Sequence, residues 1–413
     1  MTHAVYKMIS LPLFTAVMAS CSNPSQSAPD GAVGFDLLSD INVICKEVPK
    51  KYAYFEARAA HWPETCERAR QEASRVESRK GALEVLERVV DDLYDPHIGL
   101  NTNNQNSPRL IPSGSDLWIE TVEDKHIVTA VRPKSGAAEA GIRVGDALVS
   151  FNQMMPRDLA LTRIHAGQDS MNENRQRWAI NAAIAGRRSE SRNIEIRRGE
   201  DVFSFSLAAP EVSLPDETVT SKIFSERVGY IRFNNSLGNS STVSAFNLAL
   251  NDMRQTDGLI IDLRETPSGG STNVAEPILG RFIAKKTAYQ RTVFRNGIFN
   301  NRAVKPSGEW TYDKPVIVLV GRWTGSMGEG MAIGFDGMKR GHVMGSKMAR
   351  LAGGTKSIKL KKTGISLNFP AYDLHHLDGT PRHNWEPSDR AVADNGAQKD
   401  IVLERAISKL QGK

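Results

Sequence analysis

Val316-Ile317-Val318-Leu319-Val320 is five aliphatic residues in succession, and no other feature of the chain restricts its folding more. A strand with one wet face alternates apolar and polar side chains; this run does not alternate, so both of its faces must be covered. Gly258-Leu259-Ile260-Ile261-Asp262-Leu263-Arg264 has the same character, and Val228-Gly229-Tyr230-Ile231-Arg232-Phe233 reads as a third strand. Between them, Thr242–Met253 and Asn273–Phe282 read as helices. Strands separated by helices predict βαβ units, hence a parallel sheet covered on both faces, over residues 212–413. No Gly-x-Gly-x-x-Gly or Walker pattern opens these helices, which argues against a nucleotide fold.

The 413 residues allow two or three domains, at about 150 residues each. Apolar residues recur at helical spacing from Phe35 to Leu93, for example Leu83, Val85, Leu86, Val89 and Val90, until Pro96 and Gly99 break the pattern. This predicts an N-terminal helical domain over residues 35–105. A second unit, residues 110–211, opens with the alternating strands Leu117-Trp118-Ile119 and Ile127–Val131. Its stretch Ser135 to Asn152 contains Gly141-Ile142-Arg143-Val144-Gly145-Asp146 and resembles a PDZ domain, in its short helix, G-I-x-x-G-D turn and following strand. Helix-like residues 158–186 and a hairpin, Asn193–Leu207, around Arg198-Gly199-Glu200 would complete it. The resemblance implies a PDZ-like β domain that takes a peptide segment by strand addition; a spacer or lid is the other reading.

Residues 1–20 have the form of a signal peptide: Lys7, an apolar run from Met8 to Met18, then Ala19-Ser20. Met18-Ala19-Ser20-Cys21 resembles a bacterial lipobox with Met18 in place of Leu, so a lipid anchor on Cys21 is expected, with residues 21–34 as a polar tether. Ser22 then points to the periplasmic side of the outer membrane, or the cell surface; a plain secretory signal is the alternative. No run of 18 apolar residues is present, which excludes a spanning helix. Cys45 and Cys66 remain, either as a disulfide of an oxidising compartment or as two buried thiols. Without C-x-x-C or H-E-x-x-H, no metal or other cofactor is expected. The net charge of +6, with no basic block interleaved with aromatics, argues against nucleic acid.

In a parallel sheet, chemistry gathers where strands end and helices begin. After strand 315–320 comes Gly321-Arg322-Trp323-Thr324-Gly325-Ser326-Met327-Gly328-Glu329, with the Ser326 hydroxyl at a helix start. There the Met327 N–H is placed to stabilise an oxyanion. After strand 258–264 comes Glu265-Thr266-Pro267-Ser268-Gly269-Gly270, whose glycines let backbone N–H groups approach a carbonyl. Together these describe acyl transfer by a serine nucleophile with two oxyanion donors. Singly, the serine is an N-cap and the glycine pair a turn.

These segments are similar to two signatures of the S41 serine peptidases, the C-terminal processing and tricorn-core family. One is D-L-R-x-N-x-G-G, here Asp262-Leu263-Arg264 to Gly269-Gly270; the other is T-x-S-x-[SAG]-E, here Thr324 to Glu329. His342 to Thr355 follows the family's V-G-x-x-T-x-G-G. The resemblance implies a crotonase- or ClpP-like αβ catalytic core, preceded by helical and PDZ-like domains in an α/β multidomain chain. It puts Ser326 on the nucleophile and Glu329 on the helical glutamate. Processing proteases activate the serine with a lysine; Leu351 stands there, and an apolar side chain takes no proton. The tricorn-like branch uses a histidine before the PDZ, and Asp92-Leu93-Tyr94-Asp95-Pro96-His97 matches that place. Imidazole suits a general base. The expected site is therefore Ser326, His97, Gly270 and Met327, acting on exported or unfolded polypeptides.

The pattern departs from the branch in two places. Pro96 replaces the serine before the histidine, and Glu386 is the nearest candidate for the C-terminal glutamate, otherwise a surface carboxylate. His375, His376 and His383 read as surface residues, as do Lys347 and Lys356. The rivals to a peptidase are a non-catalytic peptide- or ligand-binding lipoprotein and an esterase-type hydrolase on the same scaffold.

Overall fold

The computed structural model describes residues 36–412 except 165–171, 209–211, 213, 225–226 and 392–399. The expected signal, the lipid-anchored Cys21 and the tether lie outside the described residues. Four helices come first: α1 (Leu37–Lys51), α2 (Phe55–Arg58), α3 (Trp62–Ala73) and α4 (Arg79–Asp91). Asp36 and Ser78 cap α1 and α4 by accepting the N–H groups of Ser39 and Gly81. A Cys45–Cys66 disulfide joins α1 to α3. The short strand β1 (Gly99–Leu100) follows.

The next unit contains β2 (Leu117–Val122), β3 (Lys125–Val131), α5 (Gly136–Glu139), β4 (Ala147–Phe151), α6 (Pro156–Leu161), α7 (Glu173–Ala185), β5 (Arg192–Arg198) and β6 (Asp201–Leu207). Its antiparallel sheet runs β2-β3-β4-β5-β6. Gly141 and Gly145 at the turn into β4 have positive φ, 88° and 95°, which favours glycine at both places. The helix-like stretch 158–186 is two helices, α6 and α7, because Pro156 starts one and the Asn172 side chain caps the other.

The last unit holds β7 (Val219–Ile223), β8 (Val228–Phe233), α8 (Ser241–Asp252), β9 (Gly258–Asp262), α9 (Thr272–Leu279), β10 (Thr287–Val293), β11 (Phe299–Val304), β12 (Val316–Val320), α10 (Met327–Gly337), β13 (His342–Gly345), β14 (Gly354–Lys359), β15 (Ser366–His375), β16 (Asp389–Arg390) and α11 (Ile401–Leu410). One sheet has the order β16-β13-β12-β9-β8-β7. All its pairs are parallel except β7–β8. Every residue of β9 and β12 is buried. Ile261 and Val318 pack with α8, α9 and α10, while Ile260, Ile317 and Leu319 pack against α11 on the opposite face. Each such fully buried aliphatic contributes roughly 1.5–3 kcal/mol relative to exposure, which is why unbroken apolar runs became central strands.

The second sheet bears directly on the site. β1 pairs with β15, Gly99 opposite Asn368, so the end of the N-terminal helical segment is stitched into the C-terminal unit. The helices do not close a core alone: Leu37, Ile41, Leu83 and Leu86 share one cluster with Ile358, Leu360, Leu367 and Phe369 of the β14–β15 hairpin. Buried Asp40 of α1 accepts the Lys362 and Thr363 N–H groups at that hairpin's turn.

Candidate active site

Neighbouring parallel strands deliver the two loops side by side. β9 pairs with β12, and past their ends Thr266 bridges Thr324. Thr266 N–H donates to the Trp323 carbonyl at 3.0 Å and Gly325 N–H to the Thr266 carbonyl at 3.2 Å. The Thr324 hydroxyl donates to the Leu263 carbonyl at 2.9 Å. At the start of α10, Ser326 adopts φ 49° and ψ −105°, a conformation costly for a side-chain-bearing residue, of order 1–3 kcal/mol. It is held there by buried Glu329, whose Oε2 accepts the Ser326 N–H at 2.8 Å.

Glycine is required where the loops touch. A Cβ on Gly269 (φ 65°) would lie 2.4 Å from the Ser326 Cβ and 3.1 Å from the Met327 nitrogen. Gly269 N–H is spent on the Thr266 carbonyl, at 3.1 Å. Among the described residues, neither the Gly270 nor the Met327 N–H has an acceptor. Met327 directly follows the half-buried Ser326, and Gly270 follows Gly269, which lies against Ser326, so both expected donors are without a partner in this loop pair.

His97 reaches this serine from the far end of the sequence. Its Nε2 stands 3.0 Å from Ser326 Oγ, and its Nδ1 2.7 Å from the Ala352 carbonyl. A carbonyl only accepts, so Nδ1 carries the proton and the Nε2 lone pair faces the hydroxyl. Asp95 fixes the loop by accepting the His97 N–H at 2.9 Å and the Tyr52 hydroxyl at 2.7 Å. Burial, then the Arg382 charge, push the His97 imidazole down to about 4. Burial raises the Glu329 carboxyl to about 7, opposed by Arg382 and by three accepted N–H groups, those of Ser326, Arg350 and Leu351.

Other expectations meet mixed outcomes. Leu351 is buried, and its side chain lies against Gly325. Glu386, the candidate for the C-terminal glutamate, pairs with Lys347 at 3.6 Å and Arg390 at 2.5 Å, as the surface-carboxylate reading expects. Of the three histidines expected at the surface, His375 and His383 are half-buried and His376 is buried. His376 is buried between Asp336 (3.1 Å) and Asp378 (3.0 Å) and stacks on Trp385; His375 bonds Asp373 at 2.8 Å. The missed partners of the site are the Ala352 carbonyl and Arg382: the first has no residue identity to read, and the second lies in a stretch without a clear family pattern. Among the described residues no group of three or more His, Cys, Asp or Glu could hold a metal. A cavity of about 300 Å3 opens between β3 and the carboxyl ends of β8, β9 and β12, but neither Ser326 nor His97 lines it.

Residues 227–402 match the family model described as peptidase family S41. Over those residues the chain is similar to the S41 peptidases. It is 28% identical over 228 residues to the carboxy-terminal processing protease CtpB of Bacillus subtilis, covering 53% of this chain and 43% of that protein. A carboxyl-terminal-processing protease of Synechocystis is 25% identical, over 73% of this chain and 69% of its own length. The chain thus spans less than half of the Bacillus relative. Among solved structures, the photosystem II D1 C-terminal processing protease superposes with a TM-score of 0.58 at 15% identity, covering 90% of this chain and 97% of that one. Mature CPAF matches at 0.58 and 14%, over 91% and 95%. These likenesses establish a mixed α/β multidomain S41-type fold.

Proposed function

We propose that this chain is a serine endopeptidase of the S41 type in which His97, not a lysine, activates Ser326. The reading rests on one observation above the rest: the unprotonated nitrogen of His97 faces Ser326 Oγ at 3.0 Å. Ser326 Oγ attacks the peptide carbonyl carbon while His97 Nε2 takes its proton. The oxyanion is held by the N–H groups of Gly270 and Met327 at the start of α10. The tetrahedral intermediate collapses as His97 returns the proton to the leaving amine, and water, activated the same way, then releases the acyl group. The substrates are exported or unfolded polypeptides, and the β2–β6 unit is PDZ-like. The Cys45–Cys66 disulfide favours an exported chain, in keeping with the signal and with lipid on Cys21. Among the described residues no helix is long and apolar enough to cross a membrane.

The experiment uses the full chain with a fluorophosphonate probe and an unstructured polypeptide such as casein. Labelling and hydrolysis are expected, and both disappear in Ser326→Ala while the circular dichroism spectrum is kept. A parent chain that neither labels nor cleaves is a binding protein on this scaffold, and one that labels without cleaving peptides is an esterase-type hydrolase.

A further inference from the structure

The imidazole of His97 leans on a backbone carbonyl where a serine-histidine pair commonly has a carboxylate. That leaves open what holds the carbonyl in place. The segment Arg350–Gly353 runs between two buried charged groups. On one side Glu329 accepts the Arg350 and Leu351 N–H groups at 2.8 and 3.2 Å. On the other, Nη2 of Arg382 donates to the Leu351 and Gly353 carbonyls at 2.7 and 2.8 Å, so that it grips the residues on either side of Ala352. The Ala352 carbonyl, fixed between them, accepts from His97 Nδ1 at 2.7 Å. Arg382 is 2% exposed, and no described carboxylate lies within ion-pair distance of it. Its Nε is buried without a hydrogen-bond partner among the described residues.

A buried guanidinium with no paired carboxylate is costly, and stability alone does not account for it. We propose that Arg382 is the positioning residue that completes this site, holding the Leu351 and Gly353 carbonyls so that the Ala352 carbonyl orients His97. A cation acting through backbone carbonyls then stands where an acidic third member would. The consequence is chemical: a carboxylate raises the proton affinity of the histidine, whereas this arrangement lowers it, in the same direction as burial. The charged groups around the ring are few. Asp95 lies on its own loop, with Tyr52 and Arg58 behind it. Arg382 comes from the 3-10 turn Arg382–Asn384, and Glu329 from α10.

The inference rests on the reading of His97 as base, and its test is chosen to separate the two. In the full chain, the ring resonances of His97 are titrated by NMR in the parent, Arg382→Met and Arg382→Lys, alongside kcat, KM and the rate of fluorophosphonate labelling. Arg382→Met should raise the proton affinity of His97 by about tenfold or more and move the acid limb of kcat/KM upward with it. kcat should fall at least about tenfold, with KM changed by less than about threefold. Arg382→Lys keeps the charge but not the two-carbonyl grip, so the titration stays near the parent's while kcat and labelling fall. An unmoved His97 titration with a parent-like kcat in Arg382→Met overturns the proposal. Should that variant fail to fold, a parent-like kcat in Arg382→Lys overturns it instead. A parent chain inert to probe and peptide would sink the catalytic reading, yet its His97 titration against Arg382→Met would still decide whether Arg382 governs the ring.

Discussion

Ser326 sits where a helix start, a positive φ and an adjacent glycine coincide, and each of these has a separate cause. Glu329 ties down the backbone N–H, Gly269 leaves room for the side chain, and the Thr266–Thr324 bridge holds the two loops together. The two titrating groups nearest the hydroxyl act oppositely on stability. His97 goes down to about 4 from 6.5, so the unfolded chain binds the extra proton between those values and acidification destabilises the fold. Glu329 goes up to about 7 from 4.5, so the folded chain binds the extra proton and acidification stabilises it. Relative to the parent, His97→Ala should therefore make the shift from pH 7 to pH 5 more stabilising, and Glu329→Gln should make it less so, as read by the thermal midpoint. The same tilt in both variants would contradict the assignment. Ser326, His97 and the glycine pair were legible because each is a residue type at a loop that chemistry singles out. The Ala352 carbonyl and the grip of Arg382 were not, since any residue supplies a carbonyl and a buried arginine looks like a surface one in sequence.

At the scale of elements, the decisive contact is the two-residue strand β1 on β15, which brings His97 to the serine. Its partners are more than 260 residues apart in sequence, and two residues leave no periodic signature to read. The helices α1, α3 and α4 were legible from their spacing, but the hairpin that completes their core was not, for Ile358 and Phe369 carry no mark of what they cover. The disulfide supports this layer from the other side. It closes a loop with a sequence separation of 21 residues, worth about 3 kcal/mol in the chain-entropy account. Reduction, or a Cys45→Ala/Cys66→Ala pair, should lower the urea midpoint accordingly, with little change at the β2–β6 unit by hydrogen exchange. An unchanged midpoint would show that the bridge contributes nothing beyond the helix packing.

Across the whole molecule, the β2–β6 unit is fastened to the residues just ahead of the serine. Arg322 Nη2 donates to Glu120 at 2.7 Å with its guanidinium over Trp118, and the Trp323 indole N–H donates to the Ser115 carbonyl at 3.0 Å. Arg132, at the end of β3, forms a buried pair with Glu265, in the loop that carries Gly269 and Gly270; its Nε donates at 2.7 Å. Removing one partner leaves the other charge buried, so Arg132→Met should cost about 3–5 kcal/mol in urea unfolding. Arg132→Met with Glu265→Leu should recover most of that loss, and an equal loss in the double variant would mean the cost was packing. Because the same loop supplies the proposed oxyanion donor, kcat should follow stability in this series.

By itself the sequence determined the parallel strands, the serine at a helix start, the glycine pair and a histidine in a loop after a helix. Those depend on local spacing and on what each side chain can bury or donate. Only the tertiary structure decided that β9 and β12 are neighbours, that β1 borrows β15, and that a carbonyl held by Arg382 sets the ring of His97. Such pairings are fixed by which distant surfaces exclude water and satisfy each other's hydrogen bonds, and that choice is made by the chain as a whole.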